Sequence, residues 1–191
     1  LLFMDTRVHS RKDFKGLVSI PFLGEVPQDK DVAKRSHHDD IVVTPDEHGM
    51  LSESFRMLRS NIAFMAKKHQ KQQVIMLTSF NEGAGKTFIA RNLAMSLVFA
   101  KKRVVILDLD IRKGSLSRHF KRHPLGVTNY LSDPSVTIDE VIHTDDNYPG
   151  LDIISAGTIA PNPAELLLDG RLDEMIAALR ERYDYIIADS V

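Results

Sequence analysis

The chain has 191 residues, 43% of them hydrophobic and 27% charged, which is enough apolar content for one domain with its own core. Its 25 Lys and Arg are offset by 26 Asp and Glu for a formal net charge of −1, which removes any global electrostatic case for nucleic acid or a membrane surface, so an electrostatic function has to be local. The absence of cysteine excludes disulfides, thiolate metal sites and cysteine nucleophiles, leaving oxygen or histidine to hold any metal.

Residues 1–45 read as an arm or linker: the apolar piece from Leu17 to Leu23 is broken by Pro21, Gly24 and Pro27, and a charged stretch follows from Gln28 to Asp40. The start, LLFMDTRVHSRKD, lacks the shape of a signal peptide, and no apolar run approaches the roughly 20 residues needed to span a bilayer, so the chain as written reads as soluble. Within the arm, His37, His38, Asp39 and Asp40 carry metal-ligand chemistry, but in a charged linker they read as solvated. A helix is expected from Leu51 to Lys68, with Ser52 as N-cap, Phe55, Leu58, Ile62 and Met65 on one face and Glu53, Arg56 and Arg59 on the other.

From Val74 onward the pattern alternates: strand 74–79, helix 86–101, strand 103–108, short helix 115–120, helix 137–143, strand 151–155, helix 163–181 and strand 184–189. Near-continuous apolar strands alternating with helices predict an α/β fold, a parallel sheet with helices on both faces, in which ligands bind at the carboxyl ends of the strands. The chain stops at Val191 directly after an apolar strand, which reads as truncation at the C-terminus.

Between the first strand and its helix lies LTSFNEGAGKT, Leu77 to Thr87, a phosphate cradle: loop amides and the following helix N-terminus point at phosphate oxygens, Lys86 reaches the terminal phosphates and the Thr87 hydroxyl ligates Mg²⁺. Asn81, Glu82, Gly83, Ala84, Gly85, Lys86, Thr87 and Phe88 are the candidate nucleotide-binding residues. The strict phosphate-loop pattern wants glycine where Phe80 stands, but strand, loop and helix fall in the required order.

VVILDLDIRKG puts Asp108 and Asp110 at the end of an apolar strand, two residues apart and on the same side of an extended backbone. Beside a phosphate loop, such paired carboxylates serve Mg²⁺ or act as catalytic base, because a triphosphate calls for a hard-cation site of oxygen ligands. YDYIIADS ends in Asp189, with the shape of a Walker B segment. Candidate catalytic residues are therefore Lys86, Asp108 and Asp110, and candidate metal ligands Thr87, Asp108 and Asp189.

These motifs resemble the cytoplasmic kinase domain of bacterial tyrosine kinases, the BY-kinases of polysaccharide co-polymerase systems. NEGAGKT is similar to their Walker A, ILDLDIR to their Walker A′ with its D-x-D-x-R core, YIIADS to their Walker B, and Asn162 to Leu167, NPAELL, to a stretch of the same family. Glu53, Arg56 and Arg59 reproduce the E-x-x-R-x-x-R motif through which the family assembles into rings, and Phe22 to Pro27, FLGEVP, resembles the segment joining its membrane-anchored part to the kinase domain.

The resemblance implies a P-loop NTPase-like kinase domain over 46–191, incomplete at its C-terminal end, behind a juxtamembrane arm over 1–45. It further implies ATP and Mg²⁺ as cofactors, autophosphorylation on a tyrosine cluster downstream of Val191, membrane-spanning parts upstream of Leu1, and a role in capsular or extracellular polysaccharide synthesis and export. Asp110 or Asp108 would accept the tyrosine proton. No nucleic-acid partner is implied. The alternatives are a partition or septum-site ATPase switch, against which Asn81 stands where that group has its signature lysine, and a chain-length regulator that binds nucleotide only as a structural ligand.

Overall fold

The computed structural model describes residues 19–29, 41–45, 49–68, 73–81, 83–168 and 170–190. In chain order the elements are α1 (Met50–Lys68), β1 (Val74–Leu77), α2 (Lys86–Phe99), β2 (Val104–Asp108), a 3-10 turn (Ser117–His119), α3 (Val127–Ser132), α4 (Ile138–Val141), β3 (His143–Thr144), β4 (Leu151–Ile154), α5 (Pro163–Leu168), α6 (Arg171–Arg182) and β5 (Tyr185–Asp189). The sheet has five strands in the order β1-β5-β2-β4-β3, parallel except for the β3–β4 pair.

Period-2 alternation sends the central strands into two cores. Val104 and Ile106 of β2 and Ile187 of β5 join Phe55, Leu93 and Leu97 of α1 and α2 on one face, whereas Val105, Leu107 and Ile186 join Val127, Leu131, Met175 and Leu179 of α3 and α6 on the other. The expected P-loop NTPase-like α/β architecture is the one observed.

Parity also sets the site. Asp108 and Asp189 are register partners on β2 and β5, in phase with the residues that face α2, so both carboxylates leave their strands on the α2 side.

Several local expectations are corrected. Ser52 is not an N-cap: it lies inside α1, 1% exposed, with no hydrogen-bond partner for Oγ, and the helix opens with the Glu53 amide on the Gly49 carbonyl at 3.0 Å. The helix expected over 163–181 is two, Pro163–Leu168 and Arg171–Arg182. The helix Val127–Ser132 was not expected; it packs where Gly126 and Gly157 let two backbone segments approach, since a Cβ on Gly126 would stand 2.2 Å from the Ser155 oxygen.

The arm boundary at 45 cuts across packed chain. Val42 and Val43 are 4% and 2% exposed, and the Val42 amide donates to Asn92 Oδ1 at 2.8 Å, while Asn61 Nδ2 donates to the Leu23 oxygen at 2.6 Å. These parts of the arm belong to the α1–α2 core. His37, His38, Asp39 and Asp40 lie outside the described residues.

Candidate active site

The loop between β1 and α2 owes its shape to two glycines. Gly83 and Gly85 hold φ of 76° and 88°, a left-handed conformation that side-chain-bearing residues resist; a Cβ on either would meet nothing within 4 Å, so it is the backbone angle and not space that requires glycine. The bend lets loop amides converge in front of the α2 N-terminus.

Around the loop lies a pocket of about 650 Å³, whose walls include Asn81, Gly83, Ala84, Gly85, Lys86 and Thr87 from the loop and Asp110 and Asp189 from the strand ends. Glu82 lies outside the described residues. Phe88 turns into the core, its ring 5.9 Å from that of Phe55, so its side chain takes no part in the pocket wall.

Thr87 Oγ1 donates to Asp189 Oδ2 at 2.6 Å, while Asp189 Oδ1 is buried without a hydrogen-bond partner. Burial pushes the Asp189 carboxyl above its ordinary range, against the pull of the Thr87 hydroxyl and the Lys86 ammonium. Lys86 Nζ donates to Ser79 Oγ at 3.0 Å, and Ser79 Oγ donates to the Asn81 oxygen at 2.7 Å.

Asp108 and Asp110 separate in environment. Asp108 is fully buried; Oδ2 accepts from the Ser117 amide at 2.7 Å and Ser117 Oγ at 2.6 Å, and Oδ1 from the Asp110 amide at 3.1 Å. Its carboxyl is pushed up to about 6, chiefly by burial, with the bonds from Ser117 and Asp110 opposing and Asp189 reinforcing the rise. Asp110 accepts from Ser115 Oγ at 2.8 Å and the Lys113 amide at 3.2 Å, and lies on the pocket wall, where Asp108 does not.

Ser79, Ser115 and Ser117 were not among the sequence candidates, because hydroxyl residues in loops carry no spacing signal until the fold closes them onto Lys86, Asp110 and Asp108. Arg112 and Lys113 also line the pocket.

On α1, exposed Glu53 pairs with partly buried Arg56 at 3.3 Å, whereas Arg59 bends inward and donates Nη1 to the Ser96 oxygen at 2.6 Å and to Ser96 Oγ at 3.2 Å. The three charges therefore do not share one free surface.

Comparison with known proteins gives a consistent grouping. Residues 72–191 match the AAA domain family. Over 178 residues the chain is 31% identical to a protein of Klebsiella pneumoniae described as a putative tyrosine-protein kinase in cps region, covering 90% of this chain and 24% of that one. It is 35% identical over 140 residues to the tyrosine-protein kinase CpsD of Streptococcus agalactiae, covering 72% of this chain and 59% of that one. The solved structure of the BceF tyrosine kinase domain superposes with a TM-score of 0.84 at 34% identity, over 96% of this chain and 76% of that one. The chain thus spans less than two thirds of the length of these curated relatives.

Proposed function

The chain belongs to the bacterial tyrosine-kinase (BY-kinase) domains within the AAA domain family, and from that premise we propose that it is an ATP-dependent protein tyrosine kinase using Mg²⁺. The observation that carries this reading is the convergence of Lys86, Thr87, Asp110 and Asp189 on one 650 Å³ pocket at the carboxyl ends of β1, β5 and β2.

The loop amides would hold the phosphate chain of ATP, and Lys86, which donates to Ser79 Oγ here, would turn to the terminal phosphates. Thr87 Oγ1 and Asp189 form an oxygen donor set that fits Mg²⁺, and the partnerless Oδ1 of Asp189 supports this, since a buried carboxylate oxygen gains most from a cation. Mg²⁺ held there would neutralise charge on the transferring phosphate. Asp110, on the pocket wall, receives the tyrosine hydroxyl proton. Asp108, its oxygens engaged by Ser117 and Asp110, positions the loop that carries Asp110. Catalysis on this scheme is mostly positioning and charge neutralisation.

The chain's four tyrosines, Tyr130, Tyr148, Tyr183 and Tyr185, are 9% exposed or less, so the acceptor comes from outside residues 1–191 or from another molecule. We further propose, on the family resemblance, autophosphorylation in the whole protein, ring assembly through the Glu53–Arg56 surface, attachment of this cytoplasmic domain to a bacterial inner-membrane part, and control of capsular or extracellular polysaccharide export. Among the described residues no helix is long and apolar enough to cross a membrane.

The test is to incubate the chain with ATP, Mg²⁺ and a tyrosine-containing peptide, wild type beside Lys86→Met, and locate phosphotyrosine by mass spectrometry. Phosphotyrosine in the wild type alone upholds the kinase; hydrolysis without phosphotyrosine moves the assignment to an ATPase switch.

A further inference from the structure

A second pocket, of about 420 Å³, opens beside the first at the carboxyl ends of β2 and β4. Lys113 belongs to the walls of both. Its lining combines apolar Ile111, Phe120 and Ile159 with the cations Lys113, Arg118 and Arg122, and no carboxylate lines it. Ile159 is 84% exposed, an apolar side chain held out to solvent on the rim of a charged hollow.

The frame is rigid. Ser117 Oγ donates to Asp108 Oδ2 at 2.6 Å and accepts from the Ala156 amide at 2.8 Å, locking the loop after β2 to the end of β4. On another wall His123 stacks on His143 with centroids 4.5 Å apart and planes 4° apart, and its Nδ1 meets the Leu125 oxygen at 2.8 Å. The two arginines are not spent on carboxylates within the fold: the Arg118 guanidinium donates to the backbone oxygen of Lys113 at 3.0 Å, and among the described residues neither Arg118 nor Arg122 has a carboxylate partner. In a chain of net charge −1, a hollow lined by three cations and by no carboxylate favours an anionic ligand.

We infer that this second pocket is the docking site for the acidic segment of the acceptor peptide, taking carboxylates on Arg118 and Arg122 and an apolar side chain against Phe120 and Ile159, so that the neighbouring tyrosine enters the phosphate pocket past Lys113. This rests on the kinase reading and names its substrate class: tyrosines flanked by Asp or Glu. The shared Lys113 gives the continuity that a flanking-residue subsite requires, and the charge complementarity selects acidic peptide over neutral.

The experiment compares the wild-type chain with the Arg118→Gln/Arg122→Gln variant, and with Arg122→Gln alone, on two synthetic peptides with one tyrosine flanked by glutamates in one and by glutamines in the other. The double variant is expected to raise KM for the glutamate peptide by about tenfold at unchanged kcat, the single variant by less, and neither to alter the glutamine peptide or ATP turnover. Equal KM for the two peptides in the wild type, or equal losses on both peptides in the variants, overturns the proposal. If the wild type phosphorylates neither peptide, the kinase reading fails on its own, and fluorescence anisotropy of the labelled glutamate peptide decides the pocket separately. Salt-sensitive binding that the double variant loses upholds the site, and absence of binding overturns it.

Discussion

Thr87 and Asp189 are 102 residues apart in sequence, yet the threonine hydroxyl donates to the aspartate carboxylate at 2.6 Å, joining the first turn of α2 to the last residue of β5. The parallel β1–β5 pairing makes this contact, because Leu77 and Asp189 are register partners and the loop that starts after Leu77 returns over the end of β5. Burial of a carboxylate with one partnerless oxygen favours its neutral form, so the arrangement is better suited to a bound cation than to stability.

The first prediction follows. Asp189→Asn should lower Mg²⁺-dependent ATP affinity by at least about tenfold, while thermal unfolding without nucleotide shows no loss of stability, since a costly buried charge is removed. Calorimetric titration of ATP with Mg²⁺ and with EDTA checks it; equal affinity under both conditions in the wild type would remove Asp189 as a metal ligand.

Asp110 and Asp108 should separate kinetically. Asp110→Asn retains the acceptor for Ser115 and nearly the same shape, and should lower kcat for tyrosine phosphorylation by about 100-fold with ATP affinity unchanged. A variant with wild-type kcat would return the proton-accepting role to Asp108.

The parallel sheet and the site's skeleton were legible because they rest on strong local signals: the glycine loop between an apolar strand and a helix, and acids at the ends of apolar runs. What escaped was decided by tertiary contact. The turn-like residues Gly126, Thr128 and Asn129 form the start of α3 because Thr128 Oγ1 reaches the Ala156 and Thr158 oxygens and Asn129 Oδ1 receives the Gly126 and Thr158 amides. Nothing local shows those partners. Arg59 kept perfect surface-motif spacing with Glu53 and Arg56, yet its hydrogen bonds run to Ser96, 37 residues away.

That bond sets the third prediction. Arg59→Ala should destabilise the chain by about 1 kcal/mol through the lost tie between α1 and α2, whereas Glu53→Ala, at the exposed end of its pair with Arg56, should change stability by less than about 0.5 kcal/mol. Ring assembly is therefore tested with the Glu53→Ala variant, whose mass by light scattering should fall relative to wild type at unchanged melting temperature. An unchanged mass rejects this surface as the ring contact.

The last prediction concerns Asp108. Its carboxyl is pushed up to about 6 in the fold, against an ordinary value near 4 in the unfolded chain. Between those values the folded protein binds the proton more tightly than the unfolded one, so this residue's contribution favours folding at low pH and is lost as pH rises through about 6. The loss is on the order of 2–3 kcal/mol, and Asp189, shifted in the same direction, adds to it. Asp108→Asn cannot titrate: its amide oxygen still accepts from Ser117, while its amide nitrogen faces the Asp110 amide and costs about 1 kcal/mol at every pH. The readout is therefore the slope with pH. Urea midpoints for wild type and variant, measured without nucleotide at pH 4.5 and 7.5, should diverge in the variant's favour toward neutral pH. Parallel shifts in the two proteins would mean that Asp108 titrates in the fold as it does in water, and that its hydrogen bonds from Ser117 and Asp110 fully offset its burial.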